Sequence, residues 1–117
     1  MNGLARIEVE ETPGLCLLRI KGEIDMSNAQ ELSAEIEAAV PNSAPTLVVD
    51  LAETSYLDSA GVKLLFLLAD RYRARRRVLR LVVPPDSPIR AVLELTGLAQ
   101  VVSLEEQLDE GPMPTGA

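Results

Sequence analysis

A chain of 117 residues with 47% hydrophobic and 25% charged side chains has the size and composition of one globular domain, and is too apolar to be disordered throughout. It holds no His, no Trp and one Cys, which excludes an internal disulfide, a Cys/His zinc site and every His-dependent catalytic triad. The net charge of −7 argues against a protein built to neutralise phosphate backbones.

That charge is uneven. Residues 1–60 carry eleven acids against three bases, residues 61–104 eight bases against three acids, and the last thirteen residues four acids. Five of the bases, Arg71, Arg73, Arg75, Arg76 and Arg77, form a run that could meet nucleic acid or acidic lipid. In an otherwise acidic chain the run reads instead as a solvated helix end, where cations complement the negative pole of the macrodipole. The first residues enter charged alternation with no apolar h-region. The most apolar stretch, Ala60 to Ala69, is ten residues with Lys63 inside it, about half a membrane span. The expectation is a cytoplasmic protein with no membrane partner.

From Arg6 to Glu11, apolar Ile7 and Val9 alternate with charged positions, the pattern of a half-buried edge strand. Pro13-Gly14 supplies turn chemistry. Leu15 to Ile20 follows as a more interior strand, with Cys16 a small core residue. Gly22-Glu23-Ile24-Asp25 is expected to break that strand. A helix comes next, with Ser27 and Gln30 spaced as a capping box, Asp25 as a competing cap, and Ala29, Leu32, Ile36, Ala39 and Val40 as its apolar stripe. Residues 41–45, with two prolines, stop it. Thr46 to Leu51 is a buried strand, followed by a loop. Asp58-Ser59-Ala60-Gly61 opens the longest helix, running to about Arg76, with Val62, Leu65, Phe66, Ala69 and Tyr72 on the face toward the sheet. Its other apolar positions call for a neighbouring helix or a partner. Val78 to Val83 is another buried strand, Pro88 to Thr96 a helix capped by Ser87 and stopped by Gly97, Val101-Val102 a short strand, and Leu104 to Glu110 a weak helix. The order predicts an α/β fold: one domain over residues 1–110, a mixed sheet of four to five strands flanked by about four helices, and a flexible tail at 111–117.

In such sheets, sites form beyond the carboxyl ends of strands. Two stretches fall there: Gly22 to Asp25, and Leu57-Asp58-Ser59-Ala60-Gly61 at a helix N-terminus that favours an anion. The plainer reading is that Asp58 or Ser59 caps the helix. Asp25, Asp50 and Asp58 could collect around Mg²⁺, but strand-end aspartates more often cap helices. Ser59 as a nucleophile lacks a base, and a phosphate-cradling loop would need more glycines than Gly61 beside Lys63. No catalytic residue, metal or cofactor is expected.

Lys21-Gly22-Glu23-Ile24-Asp25-Met26-Ser27-Asn28-Ala29, and Leu47 to Leu51 followed by Tyr56-Leu57-Asp58-Ser59-Ala60-Gly61-Val62, resemble the two signature stretches of the STAS family of sulphate transporters and anti-sigma factor antagonists. The resemblance spans nearly the whole chain in the right element order. It implies an anti-sigma factor antagonist whose phosphoacceptor is Ser59, since Ala60 stands where many members have a second hydroxyl. Unphosphorylated, such a protein binds an anti-sigma factor that is itself a serine kinase. Phosphorylated, it lets go, and a serine phosphatase restores it. The resemblance places Asp25, Met26, Ser27, Asn28, Asp58, Ala60, Gly61 and Val62 around the switch and in the partner surface. It implies a monomer or weak dimer without catalysis of its own. Two other roles fit the same resemblance: an accessory of a lipid or solute transporter, and a scaffold in a stress-sensing assembly.

Overall fold

The computed structural model describes residues 4–108, and the elements follow from where the chain can bury its apolar runs. β1 (Ala5–Thr12) and β2 (Leu15–Ile24) form an antiparallel hairpin closed by Pro13-Gly14, with Gly14 at φ 82. After α1 (Ala29–Ala39), β3 (Thr46–Asp50) pairs parallel with the first half of β2. β4 (Thr54–Leu57) then pairs parallel with the second half of β2. Next come α2 (Ser59–Ala74), β5 (Val78–Val82), α3 (Arg90–Leu95), a 3₁₀ turn (Leu98–Gln100) and β6 (Ser103–Glu105). The sheet order is β1-β2-β3-β5-β6, with β4 beside β2.

Side-chain alternation decides which sheet face is covered. In β2, Cys16, Leu18 and Ile20 join Leu47, Val49, Leu79 and Leu81 in the main core, under Leu32 and Ile36 of α1, Leu64, Leu65 and Leu68 of α2, and Leu93 of α3. On the opposite face the pattern is mostly ionic. Glu8 pairs with Lys21, Arg19 with Glu10 and Asp50, and Arg80 with Glu105 through two 2.7 Å contacts. A small apolar island of Leu17, Val48 and Val82 interrupts these pairs, with Leu15 and Leu108 packed on it.

The α/β class, the leading hairpin and the parallel crossovers match the sequence reading, while several boundaries change. Gly22 does not end β2. At φ +105 it shifts the register, and Glu23 and Ile24 continue the strand against Tyr56 and Leu57. The stretch read as a loop after Leu51 is therefore partly β4, and the sheet has six strands in place of four to five. Val101-Val102 is not a strand; β6 starts one residue later and takes Leu104 and Glu105 from the expected last helix. Residues 106–108 are not helical, and residues 109–110 of that helix and the tail at 111–117 lie outside the described residues. Three α-helices are described, not four, and α3 is shorter than Pro88–Thr96. The Ser87 hydroxyl still accepts the Ile89 N–H at 3.2 Å. In α2 the buried stripe is Gly61, Leu64, Leu65, Leu68, Ala69 and Tyr72, with Val62 and Phe66 half-buried and Leu67 exposed. Among the described residues, no helix is long and apolar enough to cross a membrane.

Candidate functional site

The register shift at Gly22 builds the site. An ordinary residue there would put its Cβ 2.0 Å from the Leu4 carbonyl oxygen, and the backbone needs a positive φ. Past the shift, the Gly22 N–H donates to the Glu53 carbonyl at 3.0 Å. The buried Thr54 hydroxyl donates to the Ile20 carbonyl at 2.6 Å and locks β4 in place. β2 and β4 therefore end side by side, and the segments after Ile24 and Leu57 emerge together at the carboxyl edge of the sheet. The Asp58 N–H donates to the Ile24 carbonyl at 3.2 Å across that seam.

Asp58 is the N-cap of α2. Its Oδ1 accepts the Ala60 and Gly61 N–H groups at 2.8 and 3.2 Å, and its Oδ2 accepts the Met26 N–H at 3.0 Å. One carboxylate thus fills the anion seat of the helix N-terminus and ties the Asp25–Asn28 loop to it. Asn28, only 5% exposed, holds the loop from inside: its Oδ1 accepts the Asp25 N–H at 2.9 Å and its Nδ2 donates to the Glu23 carbonyl at 2.8 Å. The Asp25 Oδ1 accepts both the Ser27 hydroxyl at 2.6 Å and the Ser27 N–H at 2.9 Å. The Ser27 hydroxyl bond, followed by its backbone bond, lowers the Asp25 pKa below the ordinary carboxylate value. The capping box expected from Ser27 and Gln30 does not form, because Ser27 bonds Asp25 and the N-cap position, Asn28, caps nothing with its side chain.

Gly61 brings the first turn of α2 down onto the seam. A Cβ at this position would lie 2.7 Å from Leu57 Cδ2 and 3.0 Å from the Ile24 carbonyl oxygen. Above it, Ser59 is exposed at the first position of the helix, and its hydroxyl has no hydrogen-bond partner among the described residues. The remaining expected residues divide by exposure: Met26 is 82% exposed, Ala60 and Val62 are half-buried, and Asn28 and Gly61 are buried. Tyr56 stands among the exposed apolar residues on β4 and was not singled out from the sequence. No alternation marks it, because the burial along Thr54–Leu57 has no period of two and the register shifts between Thr54 and Tyr56. Asp50 turns away from Asp25 and Asp58, accepting the Ala52 N–H at 3.0 Å and pairing with Arg19 at 3.5 Å.

The carboxyl edge of the mixed sheet thus brings a strand-end loop beside a capped Asp-Ser-Ala-Gly helix start. Residues 6–111 match the profile of the STAS domain, and the chain belongs to that family. Among its relatives, the anti-sigma-F factor antagonist RsfB of Mycobacterium tuberculosis is 31% identical over 104 residues, 89% of this chain and 84% of that protein. The crystal structure of an anti-sigma factor antagonist from Mycobacterium paratuberculosis matches with a TM-score of 0.77 at 32% identity, covering 91% of this chain and 89% of the other. The unphosphorylated anti-sigma factor antagonist SpoIIAA shares the fold, with a TM-score of 0.68 at 23% identity over 90% of each chain.

Proposed function

We propose that this protein is an anti-sigma factor antagonist, docking an anti-sigma factor through the Asp25–Asn28 loop and the first turn of α2, and that phosphorylation of Ser59 by that partner's serine kinase activity releases it. It acts as a binding module and a kinase substrate, with a phosphatase restoring the docking form. The observation that carries the reading is the state of the helix N-terminus beneath Ser59. The hydroxyl is exposed and free, while the Ala60 and Gly61 amides that would welcome an anion already serve Asp58. A phosphate added there finds no vacant backbone seat and brings about −1.5 to −2 charges beside two carboxylates, Asp25 and Asp58. Its effect falls on whatever must close over this surface. Two unit charges about 4 Å apart at an effective dielectric near 20 repel by roughly 4 kcal/mol, and about 2.7 kcal/mol is a hundredfold in affinity. A local clash suffices without refolding.

The exposed Met26 and Tyr56, with half-buried Val62, supply the apolar part of the docking face, and Asp25 its charge. Asn28 and Gly61, both buried, act by holding the loop and the helix turn in position. The test is incubation with the candidate anti-sigma kinase and ATP, followed by mass spectrometry and affinity measurement. Phosphate is expected on Ser59, Ser59→Asp should bind at least about tenfold more weakly, and Ser59→Ala should bind and resist release. Phosphate on Ser55, Thr54 or Ser27, or wild-type affinity in Ser59→Asp, would refute the switch. Co-purification with a transporter ATPase in place of a small kinase would refute the partner.

A further inference from the structure

The five-arginine run is not used by this switch, because it lies at the other end of α2, roughly 22 Å away at 1.5 Å per residue. Four of its arginines line two clefts that meet at Tyr72. The first, of about 260 Å³, opens between the last turns of α1 and α2 and the start of β3, over a floor that includes Ile36 and Leu68. Its polar lining is Glu37, Asn42, Arg71, Tyr72 and Arg75. Arg71 reaches Glu37 at 3.1 Å, and Arg75 donates to the neutral Asn42 Oδ1 at 3.3 Å. The Tyr72 ring is mostly buried, while its hydroxyl is reachable by solvent and makes no hydrogen bond among the described residues.

We propose that this cleft is a binding site for a phosphomonoester group, held by the Arg75 and Arg71 guanidinium groups and the Tyr72 hydroxyl. Helix-dipole compensation does not account for the arrangement, since Arg71 and Arg73 already stand in the last turn of α2. Among the described residues Arg75 has no carboxylate partner, and Arg76 occupies a left-handed position at φ 58 where glycine would sit without strain. Burial raises the phenol pKa of Tyr72, so the hydroxyl stays protonated and can donate. Among the described residues that line the cleft, Glu37 is the one acid, on a mostly exposed side chain that a doubly charged phosphate can displace from Arg71. A phosphate offers three oxygens to these separated donors, where a carboxylate offers two. The shared chemistry is the phosphomonoester; a free phosphorylated small molecule and the headgroup of phosphatidic acid both present it.

Calorimetric titration with inorganic phosphate and with phenyl phosphate tests the free source. Flotation with phosphatidylcholine vesicles, with and without phosphatidic acid, tests the lipid source. Binding of either kind is expected to weaken about tenfold in Arg75→Ala, to weaken less in Tyr72→Phe, and to tighten in Glu37→Gln, with thermal midpoints unchanged in Arg75→Ala. Arg73→Ala, on the neighbouring cleft, should leave it as in wild type. Vesicle capture alone, lost in Arg75→Ala, would support the site with lipid as the source. No binding of any probe, or equal losses in Arg73→Ala and Arg75→Ala, would overturn the proposal.

Discussion

The Asp58 carboxylate joins backbone amides from two segments 32 residues apart, and that double duty separates it from the other acids of the site. Removing it in Asp58→Ala takes away an N-cap and the strap on Met26, and should lower stability by about 1–2 kcal/mol in urea unfolding. Asn28→Ala leaves the Asp25 N–H and the Glu23 carbonyl without the side chain they now bond, and should lower it by about 1–3 kcal/mol. Asp25 is different: its side-chain bonds stay within its own turn, through Ser27. Asp25→Ala should leave the urea midpoint near wild type and weaken binding to the anti-sigma factor. A lowered midpoint with unchanged binding per folded molecule would make Asp25 a turn-forming residue only. Asp58 as a cap was legible from sequence, because a cap is a local matter of spacing. The burial of Asn28 was not: a polar residue just before a helix reads as a cap, and nothing local shows that its amide will bridge Glu23 and Asp25.

At the scale of elements, the strands that read clearly were those whose β-branched and aliphatic runs are buried on their own account, such as Leu47-Val48-Val49. β4 was illegible because it exists by virtue of a distant glycine. Thr54 to Leu57 shows no period of two, and its pairing depends on the shift at Gly22 that turns the end of β2 toward it. Gly61 belongs to the same seam. In Gly61→Ala the methyl group must displace the Leu57 side chain and press on the Ile24 carbonyl oxygen, so a loss of about 1–3 kcal/mol is expected, read as a lower thermal midpoint. A midpoint equal to wild type would show that α2 can lift off the seam freely. β6, mistaken in sequence for the start of a helix, is held against β5 by the paired bonds of Arg80 and Glu105. Those bonds lower the Glu105 pKa below 4.5, so the folded state binds this proton less readily than the unfolded chain. The pair therefore contributes stability above about pH 4.5, and that contribution fades as pH falls through the lowered folded value. Glu105→Gln should be less stable than wild type at neutral pH and should lose less on acidification, measured by urea midpoints across the acid range. Parallel acid limbs for the two proteins would count against the pair.

Over the whole molecule, the elements convert a sequence asymmetry into a spatial one. The acids of residues 1–60 include Asp58, the N-cap of α2, and Asp25 in the loop that Asp58 ties to it, while the arginine run ends the same helix. The totals were visible in the sequence; that one helix separates the two poles became clear only with its ends in place. A partner approaching the Ser59 end meets an acidic surface on a protein of net charge −7. Steering by such a surface accelerates a cationic partner by about 10- to 1,000-fold and is screened by salt, whereas dissociation depends on short-range contacts. The Debye length shrinks from roughly 30 Å at 0.01 M to about 8 Å at 0.15 M ionic strength. Over that range the association rate with the anti-sigma factor should fall by about tenfold or more, with little change in the dissociation rate. Asp25→Asn should flatten the salt dependence, because it removes charge at the proposed docking pole. Arg76→Ala, at the far pole, should raise the association rate slightly or leave it unchanged. Stopped-flow measurements over a salt series decide this. A rate indifferent to salt, or one slowed more by Arg76→Ala than by Asp25→Asn, would place the docking surface elsewhere than at the Ser59 end.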